Sequence, residues 1–317
     1  MTMPDTGLTT PTAAVVGRLA STNGTIGIDA SSDITTRTLR HTVDAHSHEC
    51  VIQSDQTAPV IDWRELWTHR ELLWNLARRD LRVRFKQTLL GPVWSFLQPC
   101  LSLLMYTIVF GFVIRVPTGD TPYPVFVLSG MILWQLFQAC VNASTYSWTG
   151  ASALIRKIYV PRLYFPLASL AVPIADFLAA ALFFGLVLGF FRYTPEPWIL
   201  AIPLLVVLTL AAALGLGLIV GCLSVRYRDF LKLMTVMLQL FFYASAVLFP
   251  PSLIPTRWHP LLAVNPMFGI VMTNRAAILG DPFSMTALAI SSTSALVLLL
   301  VGLAVYRRCE GEFADVI

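Results

Sequence analysis

Residues 62–99, DWRELWTHRELLWNLARRDLRVRFKQTLLGPVWSFLQP, change character part-way along. As far as Lys86, charged side chains recur every few residues. Beyond it none occurs until Arg115. In the first part Trp63, Trp67, Trp74, Ala77, Leu81 and Phe85 recur at helical spacing and form one apolar face. Asp62 with Glu65 three residues on has the form of a capping box. Arg64, Arg70, Arg78, Arg79, Arg82, Arg84 and Lys86 make the remainder basic. The pattern predicts an amphipathic helix over 62–86 lying in the headgroup region of an anionic leaflet. Gly91-Pro92 would then turn the chain into the bilayer.

The rest of the chain bears this out in composition. Of 317 residues, 56% are hydrophobic and 13% charged. Soluble domains carry about 25% charged residues, so the chain reads as an integral membrane protein. Five cysteines are scattered, without disulfide or paired metal spacing. Residues 1–57 are polar and rich in Ser and Thr, and are expected to be a disordered extension without the apolar core of a signal peptide. His41, His46, His48, Glu49 and Cys50 cluster there, and the expectation is of no metal site.

Uncharged or nearly uncharged stretches predict an all-α membrane domain over 58–317 with six spans, near 92–114, 121–147, 165–191, 198–224, 232–250 and 283–306. Between the last two lies a shorter apolar segment, Leu261–Asn274, behind PPSLIPTRWHP. It is too short to cross, and 255–275 is expected to be re-entrant. Six spans put both termini on one side, and that side carries fifteen Lys and Arg against four on the other, Arg115, Arg192, Arg257 and Arg275. The positive-inside rule makes the termini cytoplasmic.

Catalytic chemistry is missing from this pattern. The lysines Lys86, Lys157 and Lys232 are followed by Gln, Ile and Leu, so none belongs to a phosphate-binding G-x-x-x-x-G-K-[ST] loop. If ATP drives the protein, another chain hydrolyses it. The spans instead carry polar stripes at helical spacing: Gly91, Ser95, Gln98, Ser102 and Tyr106 in the first, Gln135, Gln138, Asn142 and Tyr146 in the second, Thr235, Gln239 and Tyr243 in the fifth. Such stripes face either a polar cavity or a neighbouring helix. Amides, hydroxyls and aromatic rings together suit a sugar. Asp176 sits inside the third span, where an acid is costly without a partner. A structural partner and proton coupling are both consistent with it. Ala213, Gly217 and Gly221 give the fourth span a small-residue face for close packing.

RELLWNLARRDLRVRFKQTLLGPVWSFLQP (70–99), IRKIYVPRLYFP (155–166), SVRYRD (224–229), NPMFGIVMTNRAAILG (265–280) and the terminal EFADVI together resemble the membrane permease subunit of polysaccharide-exporting type-2 ABC transporters. The family exports O-antigen, capsule, teichoic acid and galactan chains. The resemblance implies a homodimer in a bacterial inner or plasma membrane, bound to two copies of a separate ATPase that carries ATP and Mg2+. This chain would bind no cofactor itself and would move a lipid-linked polysaccharide. It implies that residues 154–165 dock into the ATPase through Arg156, Lys157, Tyr159, Pro161 and Arg162. Arg78, Arg79, Arg82, Arg84, Lys86, Arg226, Arg228 and Asp229 would border a cytoplasmic mouth for the substrate headgroup. Ser95, Gln98, Ser102, Tyr106, Thr235, Gln239 and Tyr243 would line the channel. Rival expectations are a proton-coupled secondary transporter using Asp176 and a membrane glycosyltransferase.

Overall fold

The computed structural model describes residues 70–86, 93–155, 162–193 and 197–310, all of them helix or connecting backbone without strands. The extension 1–57, Trp63, Trp67, the Gly91-Pro92 turn, residues 156–161 and EFADVI lie outside the described residues. The first helix, α1, runs Arg70–Phe85. Next comes α2, Val93–Tyr106, extended by a π-helical stretch Thr107–Val113. A turn through Arg115 to Asp120 leads into α3, Tyr123–Ile155. The third apolar stretch is bent into α4, Tyr164–Ser169, and α5, Ala171–Phe190. After it come α6, Ile202–Arg226, and α7, Asp229–Ala244. The chain closes with α8, His259–Leu262, α9, Pro266–Leu279, and α10, Met285–Glu310.

Burial ranks these helices. Of the 18 most apolar consecutive residues in the span Tyr123–Trp148 of α3, 78% are buried, against 6% for the span that includes α2. So α3 is the axis and α2 leans on the bundle from outside. The α6–α10 pair is the closest packed, because Gly215 and Gly302 meet backbone to backbone. A Cβ on Gly215 would lie 2.4 Å from the Leu298 carbonyl carbon, and one on Gly302 2.4 Å from the Gly215 oxygen. On the other side of α6, Gly217 and Gly221 seat Ser144 and Trp148 of α3. Without a hydrophobic drive between helices in lipid, such close contact is what holds a bundle together.

Among the described residues, five helical segments are long and apolar enough to cross a membrane: Val93–Val113, Tyr123–Trp148, Tyr164–Phe190, Trp198–Arg226 and Met285–Cys309. The expected fifth span, 232–250, is different. α7 has 16 residues, about 24 Å of rise, short of the ~30 Å hydrocarbon core. At its end, Phe241 O keeps the helical bond from Ser245 N at 2.9 Å and takes two further donors. Asn265 Nδ2 donates to the Phe241 oxygen at 3.1 Å, and the Ser245 hydroxyl to the same oxygen at 2.6 Å. The backbone then bends, with Ala246 at φ +52°.

The expected re-entrant segment is a helix pair, Thr256–Leu262 and Pro266–Leu279, bent by 118°. Irregular backbone at membrane depth survives only where its polar groups are paired within protein. Here they are. Asn265 caps α9 by accepting from Met267 N at 3.1 Å, while the Ser291 hydroxyl of α10 donates to the Ala263 carbonyl at 3.0 Å. Gly280, at φ +73°, ends α9 in the left-handed cap that glycine allows.

Candidate functional site

α1 turns a different face inward from the one its tryptophans suggest. Leu76 and Ala77 are buried, with Leu72 and Leu73 packed behind, against Trp148, Leu163, Tyr164 and Phe165. Trp74 is 63% exposed. A membrane helix has two apolar destinations, protein and lipid. The leucines take the first and Trp74 is left for the second. Farther along this side of α1 come Asp80, half-buried, and Arg84, exposed, and Arg84 reaches the acid within the third span. Its Nη2 lies 2.6 Å from Asp176 Oδ2 on α5, and the Ser95 hydroxyl of α2 donates to Asp176 Oδ1 at 2.6 Å. One carboxylate thus clasps three elements, α1, α2 and α5. Pairing is what makes an acid bearable at this depth.

The clasp closes one wall of a cavity of about 530 Å³ bounded by α1, α2, α3 and α5. Gln98 of α2 faces Gln135, Gln138 and Asn142 of α3 across it, with Ser169 beyond. A second cavity of about 220 Å³ adjoins it, sharing Asp80, Ala143 and Ser169 and reaching Tyr146. The polar stripes of the first and second spans therefore meet. Asn142 spends its amide on the Gln138 carbonyl of its own helix at 2.8 Å. The side-chain amides of Gln98, Gln135 and Gln138 take no hydrogen bond among the described residues. Gln98 and Gln138 are exposed and Gln135 is half-buried.

The stripe of the fifth span lies elsewhere. Thr235, Gln239 and Tyr243 are exposed on α7, and the Thr235 hydroxyl donates to its own helix at Leu231 O, 3.2 Å. Farther along α2, Ser102 is half-buried and Tyr106 meets α7, its ring 6.0 Å from that of Phe242. The seven expected channel residues thus divide: Ser95 and Gln98 border the cleft, while Tyr106 belongs with α7.

Among the basic residues, Arg78, Arg82 and Lys86 are exposed, and Arg79 pairs with Asp80 at 2.9 Å. Arg226 lies over the Tyr227 ring at 5.6 Å, and Arg228 and Asp229 are exposed beside it. Arg156, Lys157, Tyr159 and Pro161 lie outside the described residues. The Arg162 carbonyl accepts from the Trp148 indole at 3.3 Å, tying the start of α4 to α3.

Arg275 departs most from expectation. The sequence places it at the end of the re-entrant segment 255–275, among the outer-side charges, yet it is 1% exposed. Its guanidinium donates to Ala246 O at 2.8 Å, to Val247 O and to Phe249 O at 3.4 Å, and lies 3.8 Å over the Phe126 ring. It supplies the donors that the broken end of α7 lacks. A signal was available: the arginine directly follows an apolar segment that already had to satisfy its own backbone.

The ABC-2 type transporter family matches residues 71–279, which take in α1 to α9 and the whole cleft. The chain belongs to that family. Among curated relatives of this ABC-2 chain is an O-antigen export system permease protein of Myxococcus xanthus, 30% identical over 258 residues, 80% of this chain and 97% of that protein. One from Klebsiella pneumoniae with the same description is 25% identical over 248 residues, covering 78% and 95% of the two chains. A polysialic acid transport protein of Escherichia coli is 26% identical over 237 residues, covering 73% and 91%. The ABC-2 match ends at Leu279, so the arginine that closes α7 falls inside it and α10 beyond it.

Proposed function

We propose that this ABC-2 chain is the membrane permease subunit of an ATP-driven exporter that moves a lipid-linked polysaccharide from the cytoplasmic to the outer face of the bacterial inner or plasma membrane. The observation that carries the reading is the run of relatives named for O-antigen export and polysialic acid transport, matched over 91–97% of their length. The cleft supports it chemically. Its neutral amides offer a glycan hydrogen bonds without a trapping charge, and a polymer must leave each contact as readily as it makes it.

The chain works as a homodimer with two copies of a separate ATPase, which binds ATP and Mg2+. Residues 154–165 transmit ATP-driven closure to the helices that Arg162 and Trp148 join. The basic end of α1 and the RYRD turn lie at the cytoplasmic mouth, both termini being cytoplasmic by the positive-inside rule. The burial of Arg275 strengthens that count, leaving three basic residues in the outer loops.

The test is co-expression with an ABC ATPase sought among the neighbouring genes. Expected are a complex containing both chains and surface polysaccharide that vanishes when either gene is deleted. Export that persists without any ATPase would sink the reading.

A further inference from the structure

We infer that the cleft between α1, α2, α3 and α5 is a glycan-binding site contained within one protomer, taking a neutral, hydroxyl-rich sugar residue. The site is distinct from the exposed polar face of α7. The inference rests on the export reading and names where the sugar is held.

Three observations carry it. The first is size: about 530 Å³ lies within the ~300–1,000 Å³ that ligand pockets occupy. The second is the set of unspent amides. Gln98 and Gln138 are exposed, Gln135 is half-buried, and none of the three pairs within the described residues, so their amides stand open to water or a ligand. Each primary amide offers donors and an acceptor, and the hydroxyls of a sugar match both. The third is charge. The charged groups lining the cleft, Asp80, Arg84 and Asp176, are matched by Arg84 on Asp176 and by Arg79 on Asp80. With its charges neutralised internally, the cleft favours a neutral sugar over a phosphate. The adjoining 220 Å³ cavity, reaching Tyr146, gives the next residue of a chain a place beside an aromatic ring.

The test uses a full-length chain with its five cysteines replaced by alanine, co-expressed with its ATPase and shown to export. Gln138→Cys is introduced, and the probe is a water-soluble maleimide. Labelling is timed in cells that make the glycan and in cells whose glycan synthesis is blocked at the first glycosyltransferase. Labelling is expected in the blocked cells and a severalfold slower rate in cells making the glycan. Ser252→Cys, on the exposed turn after α7, should label alike in both. Equal rates at position 138 would overturn the site, as would no labelling in either strain, which would show a dry cleft.

In parallel, Gln135→Leu with Gln138→Leu should lower export about tenfold, the size of a lost hydrogen bond or two, while the complex still assembles. Full export from that variant would also overturn the site. Should the unmutated chain export nothing, the export reading fails instead, a result the two labelling strains cannot mimic.

Discussion

Arg275 and Asp176 are both charged side chains held by the bundle, and they answer to opposite tests. Arg275 serves carbonyls that no other group can reach. Arg275→Leu leaves those of Ala246, Val247 and Phe249 without their donor. A hydrogen bond from a charged donor contributes about 1.5–3 kcal/mol, and the loss here is expected to be about 3 kcal/mol or more. Thermal unfolding of the purified complex measures it. Arg275→Lys should recover only part, since one ammonium cannot reproduce the fork. Asp176 instead has a partner that can be removed with it. Asp176→Asn keeps a hydrogen-bond acceptor for Ser95 and strands the Arg84 cation, so hydrogen exchange in α1 should quicken. Replacing both members of such a pair with apolar residues costs less than stranding one. Arg84→Leu with Asp176→Leu should therefore assemble better than Asp176→Asn and retain export. A proton-coupled mechanism demands the reverse, because the double variant has no carboxylate left in the third span. Export by the double variant decides between them.

At the scale of the element, what the sequence discloses depends on how far away the deciding partner lies. The spans were readable because an uncharged run long enough for ~30 Å needs no knowledge of its neighbours. The end of α7 was not, because the side chains that tie down its carbonyls and those just after it, Asn265 and Arg275, lie some twenty to thirty residues on. Likewise α1 was recognisable as amphipathic, while the division of its apolar residues between protein and lipid was not. The two stripes that meet in the cleft were visible one by one, but their facing each other follows from α2 leaning on α3. Glycines show the same distinction within one residue type. Gly185 on α5 has nothing within 4 Å of an added Cβ, so Gly185→Ala should raise stability by ~0.5–1 kcal/mol through helix propensity alone. Gly215→Ala meets the backbone of α10 and should cost roughly 1–3 kcal/mol through forced separation of α6 from α10. Unfolding midpoints of the two variants should move in opposite directions.

On the scale of the whole molecule, the proposed export requires the bundle to turn work done on one side into movement of a polymer. In that proposal the push enters at residues 154–165, which join α3 to α4 in the sequence. Trp148 is buried in α3, stacked at 5.9 Å on Tyr306 of α10, and holds the Arg162 carbonyl. A push on 154–165 would therefore arrive at α3, which forms one wall of the cleft, and at α10, which is locked to α6 by the Gly215–Gly302 contact. Two variants separate docking from transmission. Arg156→Glu with Lys157→Glu reverses the charge of the docking segment and should weaken association with the ATPase, more so at low ionic strength, where repulsion is least screened. Trp148→Ala leaves that segment intact but removes the indole that ties α3 to the start of α4. It should retain the ATPase in the complex and ATP hydrolysis, yet lose most export. Pull-down of the ATPase, hydrolysis rate and surface polysaccharide, measured on both variants, give the separation. Loss of association in Trp148→Ala would mean that the buried tryptophan shapes the docking segment itself, and that the push enters the bundle by another path.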